Sequence, residues 1–318
     1  QVEGTTALRQ RIAGLYEAET GPENVLVTVG CCEALLITLQ TLAVDGGEIA
    51  VMLPNYMHLW GTAQNVGLEV REFHLDAERG WALDVDELDA SVTDRTRAVA
   101  VCNPNNPTGH ILSESEMDAV VAAADRVGAW IVTDEVYSGA ERERSEPTPS
   151  FRGRYDRVLA LNSLSKAYGL PGLRLGWVVA PEEMVQEIWR RHEYATLACT
   201  MLSNRLAEVA LSPTVRPRLL ERTRRYVRRG YDQLAEWLGG FGDLFEVVDP
   251  AAAAIAFVRY NAEIPSLELV DRLIQEQSVL VVPGTHFGVD RHLRISFGPP
   301  SDYLAGGLAR IAEVARTL

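Results

Sequence analysis

The sequence predicts an α/β protein, with a large domain built on a mostly parallel sheet between helices and a smaller C-terminal α+β domain. Three observations predict it. Short apolar, β-branched runs alternate with amphipathic stretches over the first two-thirds of the chain, the order that βαβ units require. Pro213 and Pro217 interrupt a long helical pattern, after which strands and helices follow in mixed order. The chain has 318 residues, 47% hydrophobic and 23% charged, enough for two packed cores and unlike a disordered or collagen-like chain. The expected division is 1–212 for the large domain and 213–318 for the small one.

Each element follows in order. An opening helix carries Leu8 and Arg9, and residues 33–41 read as a second helix entered directly from the loop Gly30-Cys31-Cys32. Strands are expected at 49–53, 69–73, 98–102, 130–133, 157–161 and 175–179. Between two of them, Ser113 followed by Glu116 makes a capping box, in which each side chain satisfies an amide at the start of a helix that ends at Gly128. The helical stretch 181–238 is expected to break at Pro213 and Pro217. Beyond it, 245–248, 253–259, 279–282 and 293–297 read as strands, with helices at 266–277 and 302–318.

Composition narrows the function. With 30 Lys and Arg against 44 Asp and Glu, the net charge of −14 argues against nucleic acid or an anionic membrane surface as partner. A small diffusible substrate suits it better. Four cysteines, Cys31, Cys32, Cys102 and Cys199, are too few for a disulfide framework and lack zinc-binding spacing, so no metal and a cytoplasmic setting are expected. No apolar run approaches the ~18 residues of a spanning helix. The chain opens on Gln1 rather than Met, and a preceding segment is therefore expected.

The chemistry concentrates in a few segments. In SLSKAYGLPGLRLGW, Lys166 follows a buried strand among small residues, with Arg174 eight positions on. That suits an amine desolvated for imine chemistry beside a fixed anion-binding guanidinium. The glycines at 169, 172 and 176 have the wrong spacing for a dinucleotide fingerprint. NPNNPTG (103–109) and TDEVYSG (133–139) each follow a strand and bring Asn106, Asp134 and Tyr137 to one sheet edge. Ligands of open α/β sheets bind at that edge, outside the carboxyl ends of the strands.

Taken together, these segments, in this order and spacing, resemble the class I/II aminotransferases, the aspartate aminotransferase fold of pyridoxal phosphate (PLP) enzymes known as fold type I. The resemblance runs from Leu8 and Arg9 to Leu293-Arg294-Ile295-Ser296. It implies that Lys166 forms the Schiff base with PLP and moves the substrate proton, and that Asp134 keeps the pyridine nitrogen protonated. It gives Asn106 and Tyr137 the ring 3′-oxygen, and Tyr56, in PNYMHLWG, the ring face. The phosphate falls to Ser163, Arg174 and the turn Gly30-Cys31-Cys32, whose amides open a helix. Relatives carry Ala, Ser, Thr or Gly in that turn, so the cysteine pair is a departure, and backbone amides make it a tolerable one. Arg294 would fork onto the substrate α-carboxylate, with Asn106 beside it.

The implied reaction is transfer of an amino group from an amino acid to a 2-oxo acid in a ping-pong cycle. SKAYGLPGLRLGW and LVVPGTHFG (280–288) also resemble capreomycidine synthase-type enzymes, which share the fold without transaminating, so a lyase, synthase or cyclase is the alternative. A sensor domain of the same fold is a third reading, weakened by the acidic charge and the lack of a helix-turn-helix pattern. Relatives are homodimers with sites at the interface, and their N-terminal segment completes the small domain. Outside the site, the five arginines of 222–229 read as a solvated helix face and 141–146 as a wet loop. His58 and His286 border the site in relatives and are expected to be structural more often than substrate-contacting.

Overall fold

Two apolar stripes alternate along each central strand, and this alternation builds the main sheet. Ile49, Val51 and Leu53 share one core with Ala98, Ala100, Leu159 and Leu161. Their neighbours Ala50 and Met52 join Val99, Val101, Val158 and Ala160 in a second core across the sheet. Full burial of each Val, Leu, Ile or Met among them is worth about 1.5–3 kcal/mol, which holds the helical layers on both faces. The computed structural model describes residues 2–16 and 19–318; Gln1, on which the expectation of a preceding segment rests, lies outside the described residues.

The strands are β1 (Val25–Thr28), β2 (Glu48–Leu53), β3 (Glu69–Asp76), β4 (Ala82–Leu83), β5 (Thr96–Cys102), β6 (Trp130–Asp134), β7 (Val158–Ser163) and β8 (Gly176–Val179), then β9 (Phe245–Val247), β10 (Ile255–Tyr260), β11 (Val282–Pro283) and β12 (His292–Ser296). The helices are α1 (Thr6–Ala13), α2 (Cys31–Leu42), α3 (His58–Asn65), α4 (Val85–Ser91), α5 (Glu114–Val127), α6 (Glu182–Ala195), α7 (Met201–Ala210), α8 (Arg216–Gly239), α9 (Ser266–Gln277) and α10 (Ser301–Ala315). The first eight strands form one sheet in the order β1-β8-β7-β6-β5-β2-β3-β4. Strands β3, β2, β5, β6 and β7 run parallel, while β8 lies antiparallel between β7 and β1. The last four make an antiparallel sheet ordered β11-β12-β10-β9.

Local chemistry explains the boundaries. Ser113 Oγ accepts the Glu116 amide while Glu116 Oε2 accepts the Ser113 amide at 2.7 Å, so the capping box opens α5 as expected, and Gly128 closes it. Three expectations need correction. The stretch 181–238 breaks at 196–200 as well as near Pro213, whereas Pro217 sits in the first turn of α8, where its missing N–H costs nothing. The strand expected at 279–282 shrinks to β11, because its only partner is two residues of β12. The strand β1 was not expected, its four fully buried residues being too short a run to stand out from the helices around it.

Helix α8 spans two cores. Leu220 packs with the large sheet, whereas Val227, Tyr231, Leu234 and Leu238 pack with the small sheet and α10.

Candidate active site

Every central strand of the parallel sheet ends on the same side, and a cavity of about 660 Å³ opens there. Asp134, the last residue of β6, is half-buried in its floor. Its Oδ1 accepts the Val136 amide at 3.1 Å, which starts the turn that follows β6. Burial raises the carboxyl pKa to about 6, and the Val136 amide and the charge of Lys166 offset only part of that. A carboxylate held there lacks a full counter-charge.

Asn106 and Tyr137 come from the loops after β5 and β6 and reach the same cavity. The Asn103 amide donates to the Asp134 carbonyl at 2.9 Å, which ties the two loops together. Asn105 does the internal work of its turn, accepting from the Thr108 amide and hydroxyl and donating to the Pro54 carbonyl, so Asn106 is left free to face the ligand side. Burial, reinforced by the Cys102 thiol, keeps the Tyr137 phenol above its usual pKa, with Arg294 opposing. Lys166 projects into the cavity from the turn after β7, beside Ser163 and Ser165.

An anion cradle flanks this group. Helix α2 opens at Gly30, which has no side chain to cap it, so the amides of its first turn are left without intrahelical acceptors. Gly30 has φ +80°, and a Cβ there would stand 2.7 Å from Arg174 Nη2. Gly176 packs beneath, since a Cβ on it would lie 2.5 Å from the Gly30 carbonyl carbon. Two glycines therefore bring a guanidinium, a helix N-terminus and Ser163 around one space. Cys31 lines it with its thiol pKa raised by burial and then by Asp134, 3.9 Å away, so it is a poor nucleophile; Cys32 is exposed.

The small sheet closes the far side. Arg294, on β12, donates from Nη1 to Asn106 Oδ1 at 3.1 Å, and its guanidinium lies over the Phe287 ring at 5.5 Å. Its Nε is buried without a partner. Burial lowers its pKa, against the pull of Tyr137 and Tyr56, which is the environment of a cation awaiting an anion. Tyr56 lines the cavity but is 44% exposed, and its ring stacks near His58 at 6.2 Å. His58 lines the cavity and His286 does not.

Two surface expectations hold only in part: 143–146, Arg225 and Arg229 are exposed, but Glu141 and Arg224 are not. Glu141 is fully buried and accepts from the Gly139 amide, the Thr148 amide and hydroxyl, and Arg224 Nη2 at 2.8 Å. Arg224 is therefore buried too, while Arg222 and Arg228 donate to the Tyr168 and Arg142 carbonyls. Arg222, Arg224 and Arg228 turn inward because their carbonyl and carboxylate acceptors come from loops that the local sequence does not reveal. Glu135 also escaped notice: burial raises its carboxyl pKa to about 8, and it accepts the Ser150 hydroxyl at 2.6 Å. Its one signal is its place directly after a strand-end aspartate.

Similarity to known proteins decides the family. The model of aminotransferases of class I and II matches residues 1–311. The chain belongs to that family. It is 37% identical to a capreomycidine synthase of Streptomyces vinaceus over 96% of this chain and 78% of that protein. It is 28% identical to an aspartate/prephenate aminotransferase of Thermus thermophilus, over 98% and 81% respectively. Among solved structures, a PLP-dependent aminotransferase from Streptococcus suis superposes with a TM-score of 0.92 at 30% identity, covering 99% of this chain and 82% of that one. The fold is that of aspartate aminotransferase, and the family's cofactor is PLP. Three features of this aminotransferase-family chain fit it: a floor carboxylate short of counter-charge, an uncapped helix start beside Arg174, and a lysine lining the same cavity. No helix among the described residues is long and apolar enough to cross a membrane, and no group of metal-binding side chains occurs among them.

Proposed function

We propose that the chain is a PLP-dependent aminotransferase, moving an amino group from an amino acid to a 2-oxo acid in a ping-pong cycle. The observation that carries this reading is Arg294, a half-buried guanidinium whose buried Nε has no partner, facing the cavity that also holds Lys166. A fixed cation opposite a mobile amine suits a substrate with an α-carboxylate and a neighbouring C–H to be deprotonated.

In this reading Lys166 would hold the cofactor through Nζ, and its amine would serve as the base toward the substrate Cα–H. Asp134 would pair with the pyridine nitrogen, Asn106 and Tyr137 would hold the ring oxygen, and Tyr56 would lie against the ring. Ser163, Arg174 and the amides of Cys31 and Cys32 bind the phosphate, and Gly30 clears the space for them. When bound, the cofactor supplies an electron sink conjugated with the substrate nitrogen. Arg294 and Asn106 orient the substrate carboxylate.

The capreomycidine synthase similarity favours a second reading, a lyase, synthase or cyclase using the same residues. Incubation with single amino donors and no acceptor separates the two. Transamination releases one equivalent of 2-oxo acid per site and stops, whereas the rival runs many turnovers with a released leaving group or a cyclised product. The variant Lys166→Ala should lose turnover with every donor; retained turnover refutes both readings.

Further parts of the proposal follow from the same structure. Exposure of Tyr194 (92%), Leu202 (71%) and Val209 (57%) around α7 supports a homodimer with sites at the interface. The core changes within α8, between Leu220 and Val227, which supports a small domain that begins with this helix, just past the expected division at 213. Four free cysteines support a cytoplasmic setting.

A further inference from the structure

We propose that Glu33 is a positioning residue for the phosphate cradle, holding the Val29–Cys32 turn in the shape that leaves its amides free for the anion. The inference rests on the reading of that turn as the phosphate site.

Glu33 is the acidic residue of the first turn of α2. At such a place a carboxylate ordinarily caps the helix or sits in solvent. Here it is buried, and its Oε2 turns back to the Val29 amide at 2.5 Å, a donor outside the helix. Gly30, between them, donates to the Thr28 carbonyl at 2.8 Å. The turn is thereby closed from behind, and the amides at 31 and 32 remain without a protein acceptor.

The other oxygen is anchored elsewhere. Glu33 Oε1 accepts the Thr196 hydroxyl at 2.5 Å, just past the end of α6. His192 Nδ1, fully buried on α6, lies 3.3 Å from the same oxygen, without the alignment of a hydrogen bond. Glu33 thus fastens the cradle to the α6 end, 163 residues away in sequence. Burial alone would raise its pKa, but the contacts with His192, Thr196 and the Val29 amide outweigh burial and keep the carboxyl below its ordinary value.

Charge and position predict opposite results. An ionised carboxylate repels a phosphate, so if charge dominated, Glu33→Gln would tighten PLP binding. A glutamine has one carbonyl oxygen and cannot accept from Val29 and Thr196 in both of Glu33's geometries, so positioning predicts weaker binding.

The test compares equilibrium binding of PLP and of pyridoxal, which lacks the phosphate, to cofactor-free protein. Losing a charge-assisted hydrogen bond costs about 10- to 100-fold. Glu33→Gln should raise the PLP Kd by about 10-fold and Glu33→Ala by more, with the pyridoxal Kd held within about threefold. Thr196→Val, at an exposed position, should show a smaller loss in the same direction. Arg174→Ala is the control for the site itself. If Arg174→Ala collapses the PLP-over-pyridoxal preference and the Glu33 variants do not, or if they weaken both ligands equally or tighten PLP, the inference is overturned while the phosphate reading stands. If Arg174→Ala also leaves the preference intact, the reading falls and the inference with it. Should Glu33→Ala not fold, Glu33→Gln and Thr196→Val decide.

Discussion

Asp134→Asn should make the cofactor-free protein more stable and the cofactor-bound one harder to form. Burial raises the Asp134 pKa from 3.8 to about 6. An acid raised in this way binds its proton more tightly when folded, so its contribution favours folding at low pH and is lost as pH rises from about 4 through 6. Two pKa units correspond to about 3 kcal/mol of cost above pH 7, relative to an unperturbed aspartate. Asparagine is nearly isosteric, its Oδ1 still accepts the Val136 amide, and it never ionises. Urea unfolding of cofactor-free Asp134→Asn at pH 8 should therefore show a gain of about 2–3 kcal/mol over the parent, shrinking toward zero near pH 4. The same variant should bind PLP at least about tenfold more weakly, because an amide cannot neutralise a pyridinium. An equal stability change at both pH values, or none at pH 8, would show that the carboxylate is not carried at a cost, and the account of Asp134 as a waiting counter-ion would be wrong.

Three further outcomes are expected. Arg224→Met leaves Glu141 buried and uncompensated, which should cost about 3–5 kcal/mol in urea unfolding; a Glu141→Leu, Arg224→Met double variant should lose less than the two singles together, and simple additivity would contradict the pairing. Gly30→Ala places a methyl 2.7 Å from Arg174 Nη2 at φ +80° and ψ 170°, so PLP should leave on gel filtration while the fold survives, at a backbone cost of about 1–3 kcal/mol; tight retention of PLP would remove Arg174 from the cradle. Burial raises the Glu116 carboxyl, but His110, the Leu83 amide and Ser113 outweigh it and hold the pKa at about 2. Its stabilisation is present above pH 4.5 and lost as pH falls through about 2, so Glu116→Gln should flatten the stability–pH curve below pH 4.5, and an unchanged curve would refute it.

Much of this was legible because it is local. The capping box of Ser113 and Glu116 needs only three residues' separation, and the central strands β2, β5, β6 and β7 announce themselves as apolar β-branched runs. The cluster of Asn106, Asp134, Tyr137 and Lys166 was legible for a related reason, since each ends or follows a strand whose carboxyl end a parallel sheet must bring to one edge. What depended on partners far along the chain was not. Glu141 and Arg224, 83 residues apart, each look solvated until the fold sets them against each other, at 2.8 Å and out of water. Glu33 reads as an ordinary first-turn glutamate until Thr196 and His192 arrive from α6. The insertion of β8 antiparallel between β7 and β1 leaves no mark in hydrophobic period, because a strand buried on both faces looks the same whichever way it runs. Period and spacing determined which elements form and which edge carries the chemistry; long-range packing alone decided strand order, which charges are buried, and what holds the site's backbone in place, because those depend on desolvation by residues that no local window contains.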